Sequence, residues 1–377
     1  MKQTARIIST YAGDTSGGCS ALFELGGLTV MHDASGCNST YNTHDEPRWY
    51  DMDSLVFISA LTETEAMLGD DGKLIRDMLE AAERFRPRFI ALAGTPIPMM
   101  NGTDFEAIAR EIESRSGIPS FGFDTDGMHS YICGAGRALE AVARRLCVPA
   151  EKSGGFSVNI LGATPLDFSV RGAVPAMVRR LEAAGAAVNS VWAMGSSFDR
   201  IEGSAAASVN LVVSSAGIPA AKVLRERFGT PYVIGTPCED AFTEALICAL
   251  REAAESGMPA DLTRSEPDPR LVIIGESVTA CSLAAALKAE RSRPALVLSG
   301  TECEEHPGCL FCRDEDELLP HLREAEIIIA DPLYRPLCPA DARFIDLPHE
   351  AFSGRIYRDR IPDLTDGFNT FCKENLL

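Results

Sequence analysis

Residues 157–163 read SVNILGA: an apolar run of strand length that ends in Gly-Ala and follows the polar, glycine-containing stretch Glu151–Gly155. A helical pattern over Val174–Ala184 follows, then strand-type runs at 188–194 (VNSVWAM) and 209–215 (VNLVVSS). A helix over Ala220–Phe228, a strand at 231–235 (PYVIG) and a helix over Ala241–Glu255 complete the series. The strands are apolar throughout instead of alternating, and helices separate most of them. Strands of this kind are buried on both faces of a parallel sheet built from right-handed βαβ units.

The same pattern occurs on either side. Upstream are strand-type runs at 54–60 and 88–94, helices over Lys73–Phe85 and Asp104–Arg115, a short strand at Pro119–Phe123 and a helix over Arg137–Leu146. Downstream of a second polar stretch, Ser256–Pro269, come strands at 270–276, 294–300 and 325–331, with helices over Ala280–Glu290 and Asp316–Arg323. The expected fold is therefore α/β, with three tandem Rossmann-like domains on parallel sheets: 1–150, 151–265 and 266–377. In such sheets, ligands sit at the carboxyl ends of strands. Cys37, Thr95, Cys238, Ser277, Thr301 and Pro332 all follow strands and are candidates to line a site.

The chain has 377 residues, enough for two or three cores. Its formal charge is −19, from 35 Lys and Arg against 54 Asp and Glu, which argues against a nucleic-acid partner and suits a basic protein partner. No apolar run reaches the length of a membrane span, and the N-terminus lacks the pattern of a signal peptide. The expectation is a cytoplasmic protein. Its twelve cysteines then point to metal or redox chemistry in a reducing, anaerobic cell and not to disulfides. Cys147, Cys248 and Cys281 lie in helical patterns and read as small buried residues.

Two nucleotide signatures are missing. Gly69-Asp70-Asp71-Gly72-Lys73-Leu74 has glycines and a lysine but neither the spacing nor the hydroxyl residue of a phosphate-binding loop, and reads as a helix start. Gly134-Ala135-Gly136 precedes a helix without the third glycine of a dinucleotide site.

Cysteines concentrate in two places. In Gly13–Trp49, Gly17-Gly18-Cys19 reads as a turn before the helical run SALFELGG, and Ser35-Gly36-Cys37 follows the short strand Leu28–Met31. At element ends, free backbone N–H groups stabilise a thiolate or a cluster sulfur. The separation of Cys19 and Cys37 is too long for a local chelate. The second place, Thr301–Cys312, gives Cys303-x5-Cys309-x2-Cys312 with His306 inside, and Cys338 follows the next strand. That composition suits zinc or iron–sulfur at a second metal site, with reactive or structural thiols as the alternative.

Taken in order, several segments resemble the component 1 proteins of nitrogenase and their relatives, the dark-operative protochlorophyllide reductase and the nickel-sirohydrochlorin reductive cyclase of methanogens. They are Ser35-Gly36-Cys37, Leu61-Thr62-Glu63-Thr64-Glu65 leading to Gly69–Leu74, Gly94-Thr95-Pro96-Ile97-Pro98 before Gly102-Thr103-Asp104, Val158–Gly162, Asn210–Val213 and Phe228–Tyr232. The resemblance implies three α/β domains with an iron–sulfur cluster at a subunit interface in the first. Cys37 matches the family's Gly-Cys cluster ligand. Cys19 lies in the first cysteine loop, a few residues beyond the usual ligand position, which Asp14, Thr15 and Ser16 occupy. The third cysteine position falls near Thr95.

Two thiols per chain cannot close a four-iron cubane, but two chains can. The resemblance thus implies a homodimer with one [4Fe–4S] cluster held by Cys19 and Cys37 of each copy, Asp14 being the reserve ligand. It also implies an oxidoreductase that receives low-potential electrons from an ATP-dependent iron–sulfur reductase protein, with Glu63 and Glu65 either a solvated helix start or part of the docking surface. The substrate is not named. A metallocofactor assembly scaffold or carrier, and a non-redox small-ligand-binding protein, are the other two readings.

Overall fold

The structure, a computed structural model, describes residues 5–8, 10–34, 36, 46–264, 266–302, 306 and 308–376. Three sheets carry the fold, and every strand pair in them is parallel. The first holds β1 (Leu28–Met31), β2 (Leu55–Ile58), β3 (Ile90–Ala93) and β4 (Ser120–Phe123) in the order β2-β1-β3-β4. The second holds β5 (Ser157–Leu161), β6 (Ala187–Val191), β7 (Val209–Val212), β8 (Tyr232–Ile234) and β9 (Ala260–Asp261) in the order β6-β5-β7-β8-β9. The third holds β10 (Leu271–Ile274), β11 (Leu296–Ser299), β12 (Leu310–Phe311), β13 (Ile327–Ala330) and β14 (Arg343–Asp346) in the order β12-β11-β10-β13-β14.

The expected α/β architecture is therefore present, because the central strands β1, β3, β5, β7 and β10 are buried along their whole length. Each sheet reverses direction beside its first strand. That leaves a crevice at the carboxyl ends of β1/β3, β5/β7 and β10/β13, the usual place for a ligand in an open parallel sheet. The short strands β9, β12 and β14 were not expected. They are edge strands, two to four residues long, and most of their residues are not fully buried, so they lack an apolar signal. One of them, β9, lies within the stretch read as a linker.

The helices packed around the first sheet are α1 (Asp14–Leu22), α2 (Glu63–Leu68), α3 (Gly72–Phe85), α4 (Pro96–Asn101), α5 (Phe105–Ser116) and α6 (Tyr131–Arg145). Two correct the sequence reading. Gly17, Gly18 and Cys19 do not form a turn; they lie inside α1, all of whose residues are buried. Likewise Gly134-Ala135-Gly136 lies inside α6 and does not precede it.

The reason is a close helix crossing. A Cβ on Gly17 would stand 2.0 Å from the carbonyl oxygen of Tyr131, and one on Gly134 would stand 1.8 Å from that of Asp14. A third, on Gly18, would meet the ring of Phe123 at 2.4 Å. Glycine in a helix costs about 0.5–1 kcal/mol relative to alanine, and here that loss permits backbone to touch backbone. A Cβ on Gly136 would meet the Pro219 ring at 3.3 Å and the carbonyl oxygen of Ala216 only at 3.7 Å.

Gly134→Ala should therefore lower stability by about 3 kcal/mol or more, because the clash is with backbone that cannot move aside. Gly136→Ala should be near neutral. Urea midpoints of the two variants check this, and equal midpoints would refute the crossing.

Candidate functional site

At the carboxyl end of the first sheet, Met31 of β1 pairs with Ala93 of β3, so His32-Asp33 and Gly94-Thr95 emerge side by side. Thr95 is fully buried, and its hydroxyl donates to the carbonyl of His32 at 2.6 Å, with Asp33 Oδ1 at 3.3 Å. Thr15 and Thr125 both donate to the carbonyl of Gly94, at 3.0 and 2.7 Å. Hydroxyls thus tie the strand ends together at the position where a cysteine is missing. The His32 ring shares a 2.8 Å hydrogen bond with Ser59, and burial lowers its pKa. It is a satisfied structural histidine.

Asp14 begins α1, where a carboxylate is favoured by the helix dipole. Its oxygens accept the backbone N–H groups of Thr15 (2.7 Å), Gly127 (2.8 Å) and Asp126 (3.0 Å). Burial raises its pKa and outweighs these three bonds. One ligand atom each of Asp14, Asp126 and His129 lies within 4.8 Å of the others, two carboxylates and an imidazole of the types that hold a divalent transition metal. As a reserve cluster ligand, however, Asp14 is already engaged in fastening the 126–130 loop to α1.

Cys19 has 0% exposure and sits in the main apolar core. Burial pushes its thiol well up, and the nearby Glu46 and Asp14 push it further. A ligand shared between two copies must reach a surface, and this sulfur does not. The expectation pairs this sulfur with Cys37 at a shared cluster, and the structure places it on an inward face of α1 beside the glycine crossing. Cys37 lies outside the described residues.

Both flanks of the 37–45 stretch are well fixed. On the near side Leu61 N–H donates to the carbonyl of Asp33 at 2.8 Å. On the far side is a buried ionic clasp. Arg48 bonds Glu46 Oε1 (2.7 Å), Glu24 Oε1 (2.9 Å), the carbonyl of Ser20 (2.7 Å) and the carbonyl of Ala193 (2.8 Å). Glu24 in turn accepts the N–H of Gly195 at 2.8 Å. The clasp joins α1, the returning chain and the loop after β6.

In the third sheet, Cys309 and Cys312 flank the two residues of β12 and lie on opposite faces of the sheet. Cys312 is in the core that contains Leu298 and Ile328, while Cys309 packs on the side of Cys281 and Val297. Alternation along a strand separates positions three apart, which sets these two members of the expected Cys303, Cys309 and Cys312 site on different sides. Cys303 lies outside the described residues. Cys338 is half-buried and bonds the carbonyl of Ala342 at 3.6 Å. Of the three cysteines expected to be buried, Cys147 and Cys281 are, whereas Cys248 is exposed.

His306 is 1% exposed and spans to the end of the second sheet, with Nε2 2.7 Å from Thr263 Oγ1 and 3.7 Å from Asp261. Burial pushes Asp261 up, but the nearby His306 ring and the hydrogen bonds from Thr263 hold it below the usual carboxylate range.

The sequence reading missed a second region, a cavity of ≈ 90 Å³ at the carboxyl ends of the second and third sheets. Its apolar wall includes Phe168, Met177, Ile273 and Leu283, and its polar edge is Asp167, Glu276 and His349. Cys238, one of the residues expected to follow a strand and line a site, does line this cavity, though 3% exposed and with its thiol pushed well up by burial. Tyr131, the first residue of α6, donates to Asp167 Oδ1 at 2.5 Å and so links the cavity to the glycine crossing. Asp167 and His349 each follow a strand-end proline (Pro165, Pro348), a signal available in the sequence.

Strand order, crevices and interdomain contacts define an α/β protein of three Rossmann-like sheets. Residues 20–272 match the family model described as nitrogenase component 1 type oxidoreductase, and the chain belongs to that family. It is similar to the nitrogenase molybdenum-iron protein alpha chain of Clostridium pasteurianum, at 24% identity over 60% of this chain and 41% of the relative. Against a component of the light-independent protochlorophyllide reductase of Prosthecochloris aestuarii, identity is 29% over 44% of this chain and 32% of the relative. Against the nitrogenase iron-molybdenum cofactor biosynthesis protein NifE of Klebsiella pneumoniae, it is 23% over 62% and 56%. The matches thus span about a third to somewhat over half of each relative. A solved structure of nitrogenase Cp1 shares the fold, with a TM-score of 0.70 at 14% identity over all of this chain and 95% of that one. Among the described residues, no helix is long and apolar enough to cross a membrane.

Cys19 should resist alkylation by iodoacetamide in the native protein and react fully in urea, as read by peptide mass spectrometry; native labelling would place it at the surface. Arg48→Ala should cost about 3–5 kcal/mol in urea unfolding, because it leaves the Glu24 and Glu46 carboxylates buried without a cation. A loss under 1 kcal/mol would show the clasp to be solvated.

Proposed function

We propose that this chain is a nitrogenase-like reductase component. It takes low-potential electrons from an ATP-dependent iron–sulfur reductase protein through an iron–sulfur cluster anchored at Cys37 and shared between two copies. The family includes reductases and cofactor biosynthesis proteins. One surface supports the reductase reading.

That surface is an apolar patch on α2 and α4. Met67, Leu68 and Met100 are 72%, 75% and 86% exposed, and Ile97 joins them. Asn101 Nδ2 donates to the carbonyl of Ala66 at 2.8 Å and holds the two helices together. The groove between them is lined by Ala34, Leu61, Met67 and Ile97, so it borders the chain that leads to Cys37. Large exposed apolar side chains grouped in this way mark a protein contact.

The rim is acidic, with Glu63 and Asp70 exposed. Glu65 is used differently: it closes a capping box with Thr62 at the start of α2. An acidic rim on a chain of charge −19 favours a partner with basic residues around an apolar centre.

When bound, a [4Fe–4S] cluster supplies one-electron relay at low potential. The thiols tested against it fit in part. Cys19 is sealed in the core and falls out of the ligand set, which leaves Cys37 of each copy and two iron positions for other donors. His44 and Asp45, in the same stretch, are residue types able to fill them.

Anaerobic iron and sulfide analysis with EPR tests the reading. About four irons per two chains are expected, lost in Cys37→Ala and kept in Cys19→Ala. Iron retained without Cys37 would contradict it. Reduction by a nitrogenase-type iron protein and ATP should fall roughly tenfold or more in Met100→Asp, while reduction by dithionite is unchanged. Equal loss with both reductants would mean that the patch does not dock the donor.

A further inference from the structure

Besides Cys238 and three threonines, the polar edge of the interdomain cavity contains three groups, and two of them are satisfied. Glu276 Oε1 accepts Ser215 N–H (3.0 Å) and hydroxyl (2.6 Å), and Oε2 accepts the N–H of Thr279 (2.9 Å). Asp167 accepts the Tyr131 hydroxyl on Oδ1 (2.5 Å) and the Thr164 hydroxyl on Oδ2 (2.8 Å). Burial, and then Asp167 and Glu276, push the Tyr131 pKa well up, so it remains a donor.

The third group, His349, is unlike them. Its Nδ1 accepts the N–H of Ala351 at 3.3 Å, which assigns the ring proton to Nε2. Nε2 is buried and makes no hydrogen bond. Asp167 Oδ1, at 3.6 Å, is beyond hydrogen-bond reach. The ring cannot easily turn to find a partner. It stacks on Phe352 at 4.4 Å, and its own backbone N–H is held by Asp331 at 2.7 Å.

A buried donor without an acceptor costs about 1–3 kcal/mol. The histidine that carries it lines a void whose other walls are largely apolar. At roughly 10–15 Å³ per water-sized group, ≈ 90 Å³ has room for about six to nine such groups, one small ring and far less than a tetrapyrrole. The adjacent Asp167 and Glu276 carboxylates disfavour an anion.

We infer that this cavity binds a small uncharged molecule with an apolar body and one hydrogen-bond acceptor, which takes the Nε2–H of His349. As a substrate site it rests on the reductase reading. As a binding site it does not, and the following test reads binding alone, without iron or electrons, so the two readings can fail separately.

Pyridine and benzene have the same shape and differ by one acceptor, and at pH 8 pyridine is uncharged. Their dissociation constants can be measured by saturation-transfer NMR on the full chain. Pyridine should bind roughly five- to tenfold more tightly, the value of one net hydrogen bond. His349→Phe should abolish that preference while benzene still binds. Equal affinities in the wild type, or a preference that survives His349→Phe, would overturn the inference. Should that variant not fold, wild-type protein labelled with ¹⁵N-histidine decides. The Nε2–H tautomer, with Nε2 shifted by pyridine and not by benzene, supports the site. An Nδ1–H tautomer, or an Nε2 signal that pyridine does not move, refutes it.

Discussion

The contact on which the rest depends is the crossing of α1 and α6 at Gly17, Gly18 and Gly134. Backbone meets backbone there at distances no side chain allows. Three consequences follow from that one approach. The cysteine face of α1 turns into the core, which removes Cys19 from the surface. Asp14 is brought under the 126–130 loop and fastens it by accepting the N–H groups of Asp126 and Gly127. Tyr131 is delivered at the first turn of α6 to the carboxylate of Asp167, across the boundary between the first and second sheets.

Around that crossing, the chain spends its buried polar groups on joining sheets. Arg48 links α1 to the loop after β6, Glu276 links β10 to Ser215 beyond β7, and His306 links the third sheet to the end of the second. Each is a charged or polar group with at least one partner on another unit, so breaking one leaves its partners unpaired in a low-dielectric interior. The interdomain cavity lies at the carboxyl ends of the second and third sheets.

The architecture was legible because central parallel strands are buried on both faces and read as continuous apolar runs. Glycine was the main source of error. The sequence of Gly17-Gly18-Cys19 is equally compatible with a turn and with a helix pressed against another helix, and only the tertiary partner decides between them. Cys309 and Cys312 misled for a related reason: two residues of intervening strand carry a compact cysteine motif to opposite sides of a sheet. The cavity could not be seen because its residues are far apart in sequence. Asp167, Glu276 and His349 follow three different strands, and their convergence belongs to the way the sheets pack.

The central claim is that the first-domain site is incomplete in one chain and completed by a second. Native mass spectrometry of the anaerobically purified protein tests it most directly, because it reports chain count and cluster content in one measurement. The account predicts a dimer whose excess mass equals a single cluster of four irons and four sulfides. A monomer carrying such a cluster, or a dimer carrying one per chain, would contradict it.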